Sequence, residues 1–95
     1  MAIFAALGRL TEQGLKNMDA IGPRHKKAVE RAEEHGAKII GSYALMGLYD
    51  FLVVMEAPDA KTAIYVLTKE SEHGNIRYNT MQAFPIDSFA QSIDQ

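Results

Sequence analysis

The sequence predicts a single α+β domain with the element order β-α-β-β-α-β. Three observations carry that prediction. Four apolar segments of strand length are set apart by turn residues. Two longer segments between them place apolar residues at helical spacing. At 95 residues, the chain has room for one domain, residues 1–95, with a thin core.

Taken in order, residues 2–10 read as a buried strand, Ile3-Phe4-Ala5-Ala6-Leu7 being unbroken apolar sequence that ends at Gly8 and Thr11. Thr11 to Asn17 forms one short helical turn, which Gly14 weakens. Gly22-Pro23 opens a longer helix, because proline lacks only an N–H that the first turn leaves unpaired anyway. That helix runs to Glu34 or His35, Gly36 closes it, and its inward stripe is Ile21, His25, Ala28, Val29 and Ala32. Ala37 to Met46 form the second strand. Gly47-Leu48 is a tight turn in which Gly47 supplies a positive φ. The third strand, Tyr49 to Glu56, contains the run Phe51-Leu52-Val53-Val54-Met55. Pro58 ends it and Asp59 caps the next helix, whose apolar positions are Ala60, Ala63, Ile64 and Leu67. Gly74 stops that helix, Asn75 to Phe84 make the fourth strand, and Pro85 to Ile93 form a short terminal helix or a loose tail. Met46, Met55 and Met81 are assigned to the core.

Right-handed crossovers make the first two strands parallel, with the third between them and antiparallel to both. The sheet order is then 4-1-3-2, that of a ferredoxin-like βαββαβ domain, with both long helices on one face. The first and third strands nevertheless lack the alternation expected of a sheet with one wet face. The tail is too short to cover the second face, so the expected partner is another copy of the chain, in a homodimer or higher homo-oligomer packed through the helix-free face.

Composition excludes several functions. With no cysteine there are no disulfides, thiolate metal sites or cysteine nucleophiles, in keeping with a reducing compartment. Ten basic against twelve acidic residues give a net charge of −2 without a basic stripe, so no nucleic-acid partner is expected. The apolar start, Met1 to Leu7, is too short for a membrane span and has no basic leader; no membrane partner and a cytoplasmic location are the expectations. Three scattered histidines have no metal-ligand spacing. No GxGxxG, Walker or GxSxG motif occurs, so no metal and no cofactor are expected.

The topology gathers Arg9, Thr11, Gly47, Tyr49, Asp50, Asn75 and Arg77 at one sheet edge, close to Arg24 and His25. Asp50 is a candidate proton acceptor if burial raises its pKa, although a salt bridge or turn cap is the commoner role. Tyr49 could hydrogen-bond a carbonyl or phenolate, or simply sit amphipathically at the rim. His25 is a candidate base above the sheet, where Ala28 and Ala32 leave room for a cavity; a hydrogen-bonded rim histidine is the commoner outcome. His35 and His73 each lie in the last turn of a helix, where an imidazolium suits the dipole.

Three segments resemble the GYD family in register: Gly8-Arg9-Leu10-Thr11-Glu12-Gln13-Gly14-Leu15-Lys16-Asn17, Met46-Gly47-Leu48-Tyr49-Asp50-Phe51 followed by Glu56-Ala57-Pro58-Asp59, and Gly74-Asn75-Ile76-Arg77 with Thr80-Met81 and Ala83-Phe84. The resemblance implies a ferredoxin-like fold of the dimeric α/β-barrel group, in which two sheets pack face to face. That wider group includes cofactor-free oxygenases, haem-degrading enzymes and ligand-sensing domains. Gly47, Tyr49 and Asp50 map onto the family's signature hairpin, with Leu48 between the glycine and the tyrosine. The three histidines lie outside the pattern, and no catalytic residue carries over.

Two functions compete, with a third of a different kind. The first is a homo-oligomer that binds a small, partly apolar or anionic ligand at the strand-1/strand-3/strand-4 edge through Arg9, Tyr49, Asp50 and Arg77. The second is a cofactor-independent oxygenase or isomerase with Asp50 or His25 as proton acceptor and Tyr49 steadying an enolate or phenolate; it requires a cavity between helix and sheet. The third is an assembly protein whose interface is its whole function.

Overall fold

The computed structural model describes residues 1–93; the last two residues of the domain read at 1–95 lie outside the described residues. Strand β1 (Ala2–Leu10) is followed by the short helix α1 (Glu12–Lys16), a 3₁₀ turn at Met18–Ala20 and helix α2 (Ile21–Glu34). Strands β2 (Lys38–Ala44) and β3 (Phe51–Ala57), helix α3 (Ala60–Ser71), strand β4 (Ile76–Ala83) and helix α4 (Ile86–Ile93) complete it. The four strands form one antiparallel sheet in the order β2-β3-β1-β4, as the sequence predicts.

Strand alternation divides β1 and β3 between two faces. Phe4, Ala6, Val53, Met55 and Ala57 are buried beneath the helices, together with Ala32 of α2 and Ala63, Val66 and Leu67 of α3. Alanines at the helix contacts let the backbones approach the sheet closely. The inward stripe of α3 is thus Ala63, Val66 and Leu67, continued by Glu70, whereas Ile64 is 57% exposed and Ala60 faces solvent. The expected stripe was rotated because Ala63, Val66, Leu67 and Glu70 satisfy the helical period together, and Ile64 lies to one side.

The β2–β3 connection departs from a two-residue turn. It spans residues 45–50, closed by Leu45 N donating to Asp50 O at 2.7 Å, so Tyr49 and Asp50 precede β3. Gly47 does take a positive φ of 135°, and open space surrounds the position where a side chain would stand. Its requirement is therefore backbone conformation alone. Met46 at this tip is wholly exposed and Met81 is 45% exposed, so only Met55 of the three methionines fills the core.

A bulge between Ile39 and Gly41 shifts the phase of β2. Ile39, Ser42 and Ala44 then lie opposite Met55, Val53 and Phe51, while Gly41 and Tyr43 lie opposite Val54 and Leu52 on the other face. That other face presents Ile3, Ala5, Leu7, Leu52, Val54 and Met81, and the two long helices are packed on the opposite one. Helix α4 stands off the body: Ile86, Phe89 and Ile93 are 74%, 53% and 64% exposed. The radius of gyration is 14.2 Å, against about 12 Å for a compact chain of this length.

Candidate functional site

Ile39 at the bulge of β2 and the small side chain of Ala28 border a cavity between the helices and the sheet. Its volume is about 290 Å³. The floor is apolar, made by Ile39, Phe51, Val53, Met55, Val66 and Leu67. It opens at the end of the sheet where β1 finishes and β3 and β4 begin, between the first turn of α2 and the last of α3. Small-ligand sites are built this way, with an apolar bed and a few convergent polar groups.

The polar groups at this opening form one electrostatic cluster. From α2 come Arg24 and His25; from the last turn of α3 comes Glu70 and from just beyond it His73; from β4 comes Tyr78. Arg24 Nη1 lies 2.6 Å from the His73 ring nitrogens, one of which accepts its proton. Arg31 Nη1 donates to Glu70 Oε1. The Glu70 side chain is only 9% exposed. Burial raises its pKa, against the pull of Arg31, His73, Arg24 and His25. Tyr78 packs on the core, and burial, helped by the nearby Glu70 charge, pushes its phenol up to about 12. The phenol is therefore a donor at physiological pH.

The predicted edge residues are divided by the pleat of the sheet. Arg9 and Arg77 are register partners on the helix-free face. Arg9 Nε donates to Leu48 O at 2.8 Å and its guanidinium lies 5.4 Å from the Tyr49 ring centre. Asn79 Nδ2 reaches the Tyr49 hydroxyl at 3.4 Å. Asp50 accepts from Leu10 N at 2.8 Å, while its own N–H donates to Gly8 O, so it ties the β2–β3 loop to the end of β1. Arg9, Tyr49 and Arg77 come together, but Arg9, Tyr49, Asp50 and Arg77 are absent from the cavity lining. His25 borders the cavity at its mouth and is itself exposed.

Thr11 and Asn75 fasten the same edge: Thr11 N donates to Asn75 O at 3.0 Å and Gly14 N donates to Thr11 Oγ1 at 3.0 Å. His35 Nδ1 meets Arg31 O at 2.9 Å in the last turn of α2. His73 lies just beyond α3 and serves the cluster instead of the helix end. Glu70 and Tyr78 are the site residues that sequence reasoning missed. Glu70 continues the buried stripe Ala63, Val66, Leu67, where a carboxylate is out of place. Tyr78 alternates with Ile76 on the inward side of β4. Among the described residues, no group of three His, Asp or Glu side chains is placed to hold a metal, and no helix is long and apolar enough to cross a membrane.

Comparison with known proteins agrees with this architecture. The chain is 30% identical over 87 residues to the glutamine synthetase and cystathionine beta-lyase binding protein of Thermus thermophilus, an alignment covering 90% of this chain and 92% of that one. The crystal structure of TTHA0845, also from Thermus thermophilus, superposes with a TM-score of 0.55 at 21% identity, covering 90% of this chain and 95% of the other; at that identity the likeness concerns the fold. The sequence also matches the GYD domain over residues 4–93, from β1 to the end of α4. This chain therefore belongs to the GYD domain family.

Proposed function

We propose that this GYD domain protein is a homo-oligomeric binding module that holds a small, partly apolar anion in the cavity between its helices and its sheet. One observation carries the reading: an apolar cavity whose mouth sets Arg24, His25 and His73 against a single carboxylate, Glu70, already engaged by Arg31. A guanidinium with imidazole side chains beside it, over an apolar bed, favours a carboxylate with a hydrocarbon body. The edge cluster Arg9, Tyr49, Asp50 and Arg77 is the weaker ligand site. The Asp50 carboxylate and the Arg9 Nε donor already serve backbone groups of the chain.

The test is NMR titration of the protein with small aliphatic and aromatic carboxylates. The expected shifts fall on Arg24, His25, His73 and residues 51–55, and Arg24→Ala weakens binding by about tenfold or more, equivalent to about 1.4 kcal/mol. Shifts confined to Arg9, Tyr49, Asp50 and Arg77, or absent throughout, overturn it.

The helix-free face supports the oligomer. Ile3, Ala5, Leu7, Leu52, Val54 and Met81 make a contiguous apolar surface of the sort that a second copy covers. The relative's name suggests protein partners as well. Co-elution of this chain with purified glutamine synthetase or cystathionine beta-lyase tests whether that property is shared; separate elution at micromolar concentrations argues against it.

The enzymatic reading keeps one specific support, since the cavity it requires exists and His25 borders it. Asp50, the other named proton acceptor, is outside the lining. A cofactor-independent reaction here depends on His25, so turnover that survives His25→Gln removes the assignment.

A further inference from the structure

Glu70 holds more of its chemistry in reserve than an ion pair needs. Its side chain is 9% exposed, and a carboxylate so shielded gains from a donor on each oxygen. Arg31 takes Oε1. Among the described residues no protein donor engages Oε2, and that oxygen is not sealed from solvent. Glu70 lines the cavity, so a ligand ammonium group can take the place of water on that oxygen. Arg24 is in the complementary position. One of its five donors meets His73 and the rest are available at the mouth. An acceptor for a cation and a fork of donors for an anion therefore border one apolar cavity.

Resting on the reading of the cavity as the ligand site, we propose that its ligand is an α-amino acid with an apolar side chain. The α-ammonium group donates to Glu70 Oε2, the α-carboxylate binds Arg24, and the side chain lies on Phe51, Val53, Met55, Val66 and Leu67. A plain carboxylate answers Arg24 but makes no contact with Glu70 Oε2. A plain amine does the reverse. The zwitterion satisfies both and adds no net charge to a cluster whose members already pair. Tyr78, an undissociated phenol on the same lining, is a further donor for the carboxylate. A cavity of about 290 Å³ suits such a ligand; it is at the lower end of the roughly 300–1,000 Å³ usual for ligand pockets.

The experiment compares L-leucine, isocaproate (the same skeleton without the amino group) and N-acetyl-L-leucine by calorimetry and NMR titration. L-Leucine is expected to bind about tenfold or more tightly than either analogue. Glu70→Gln should abolish that preference, L-leucine then binding no more tightly than isocaproate. Isocaproate or N-acetyl-L-leucine binding as tightly as L-leucine, or a folded Glu70→Gln chain that keeps the preference, overturns the amino-acid assignment and leaves the anion site standing. If none of the three perturbs the cavity, both the assignment and the site fall. The comparison on the unaltered chain is decisive even if Glu70→Gln does not fold.

Discussion

Glu70 bears both on stability and on the proposed ligand site. Its carboxyl is held above the ordinary value of 4.5, chiefly by burial, so the folded state binds a proton more tightly than the unfolded state does. The stability linked to that proton is fully present below 4.5 and is lost as pH rises through the raised folded value. Glu70→Gln should therefore flatten the stability–pH curve in this acid window, as denaturant melts at a series of pH values will show; an unchanged slope rejects the assignment. Tyr78 has the same sign at the other end of the scale. Its phenol is raised from 10.0 to about 12, so its contribution persists below 10.0 and is lost between there and about 12. Ultraviolet difference titration should reveal one late-ionising tyrosine that Tyr78→Phe removes. Asp59 behaves in the opposite sense: its carboxylate accepts from Thr62 N at 2.8 Å, which holds its pKa below 3.8.

At the scale of elements, the site depends on how the strand ends are tied together. Helix α1 has only five residues and could not persist alone. Thr11 caps it and bonds Asn75, so the helix is fixed to the entrance of β4. Gly14 makes that contact possible, because a Cβ there would collide with the Asn75 carbonyl oxygen. Sequence reasoning took this glycine as a weakness of the helix, when it is the condition for packing. Gly14→Ala is expected to destabilise the protein by about 1–3 kcal/mol, measured by chemical denaturation, and to shift the NMR signals of residues 74–76. Met55, 1% exposed beneath α3, forms the cavity floor. Met55→Ala should cost about 2–5 kcal/mol, a loss that denaturant melts will register.

For the whole molecule, one sheet has two unequal faces. Helices cover one, and the other places Leu7 opposite Leu52 and Asn79 in the pairing register, with Ala5 and Val54 alongside. If a second copy covers this surface, Leu7→Glu should shift the protein toward monomer by setting a carboxylate in the interface. Sedimentation equilibrium at micromolar concentration measures it, and an unaltered chain that sediments as a monomer ends the oligomer proposal. The exposed stripe of α4 adds to the apolar area available for burial.

Element order, strand pairing and the antiparallel sheet were legible in the sequence because period-two and period-3.6 patterns, glycines and caps are local signals. The GYD resemblance was legible for the same reason, through Gly47, Tyr49 and Asp50. The candidate site was legible only in part. His25 and Ala28 pointed at the cavity, but Arg9, Tyr49, Asp50 and Arg77 were read as a ligand site because they share a sheet edge. Only the tertiary structure decided which face each side chain takes. A single bulge at Ile39–Gly41 re-phases β2, and the packed rotation of α3 turns Glu70 inward and Ile64 outward. Both are settled by long-range packing, where one residue of phase exchanges core for solvent.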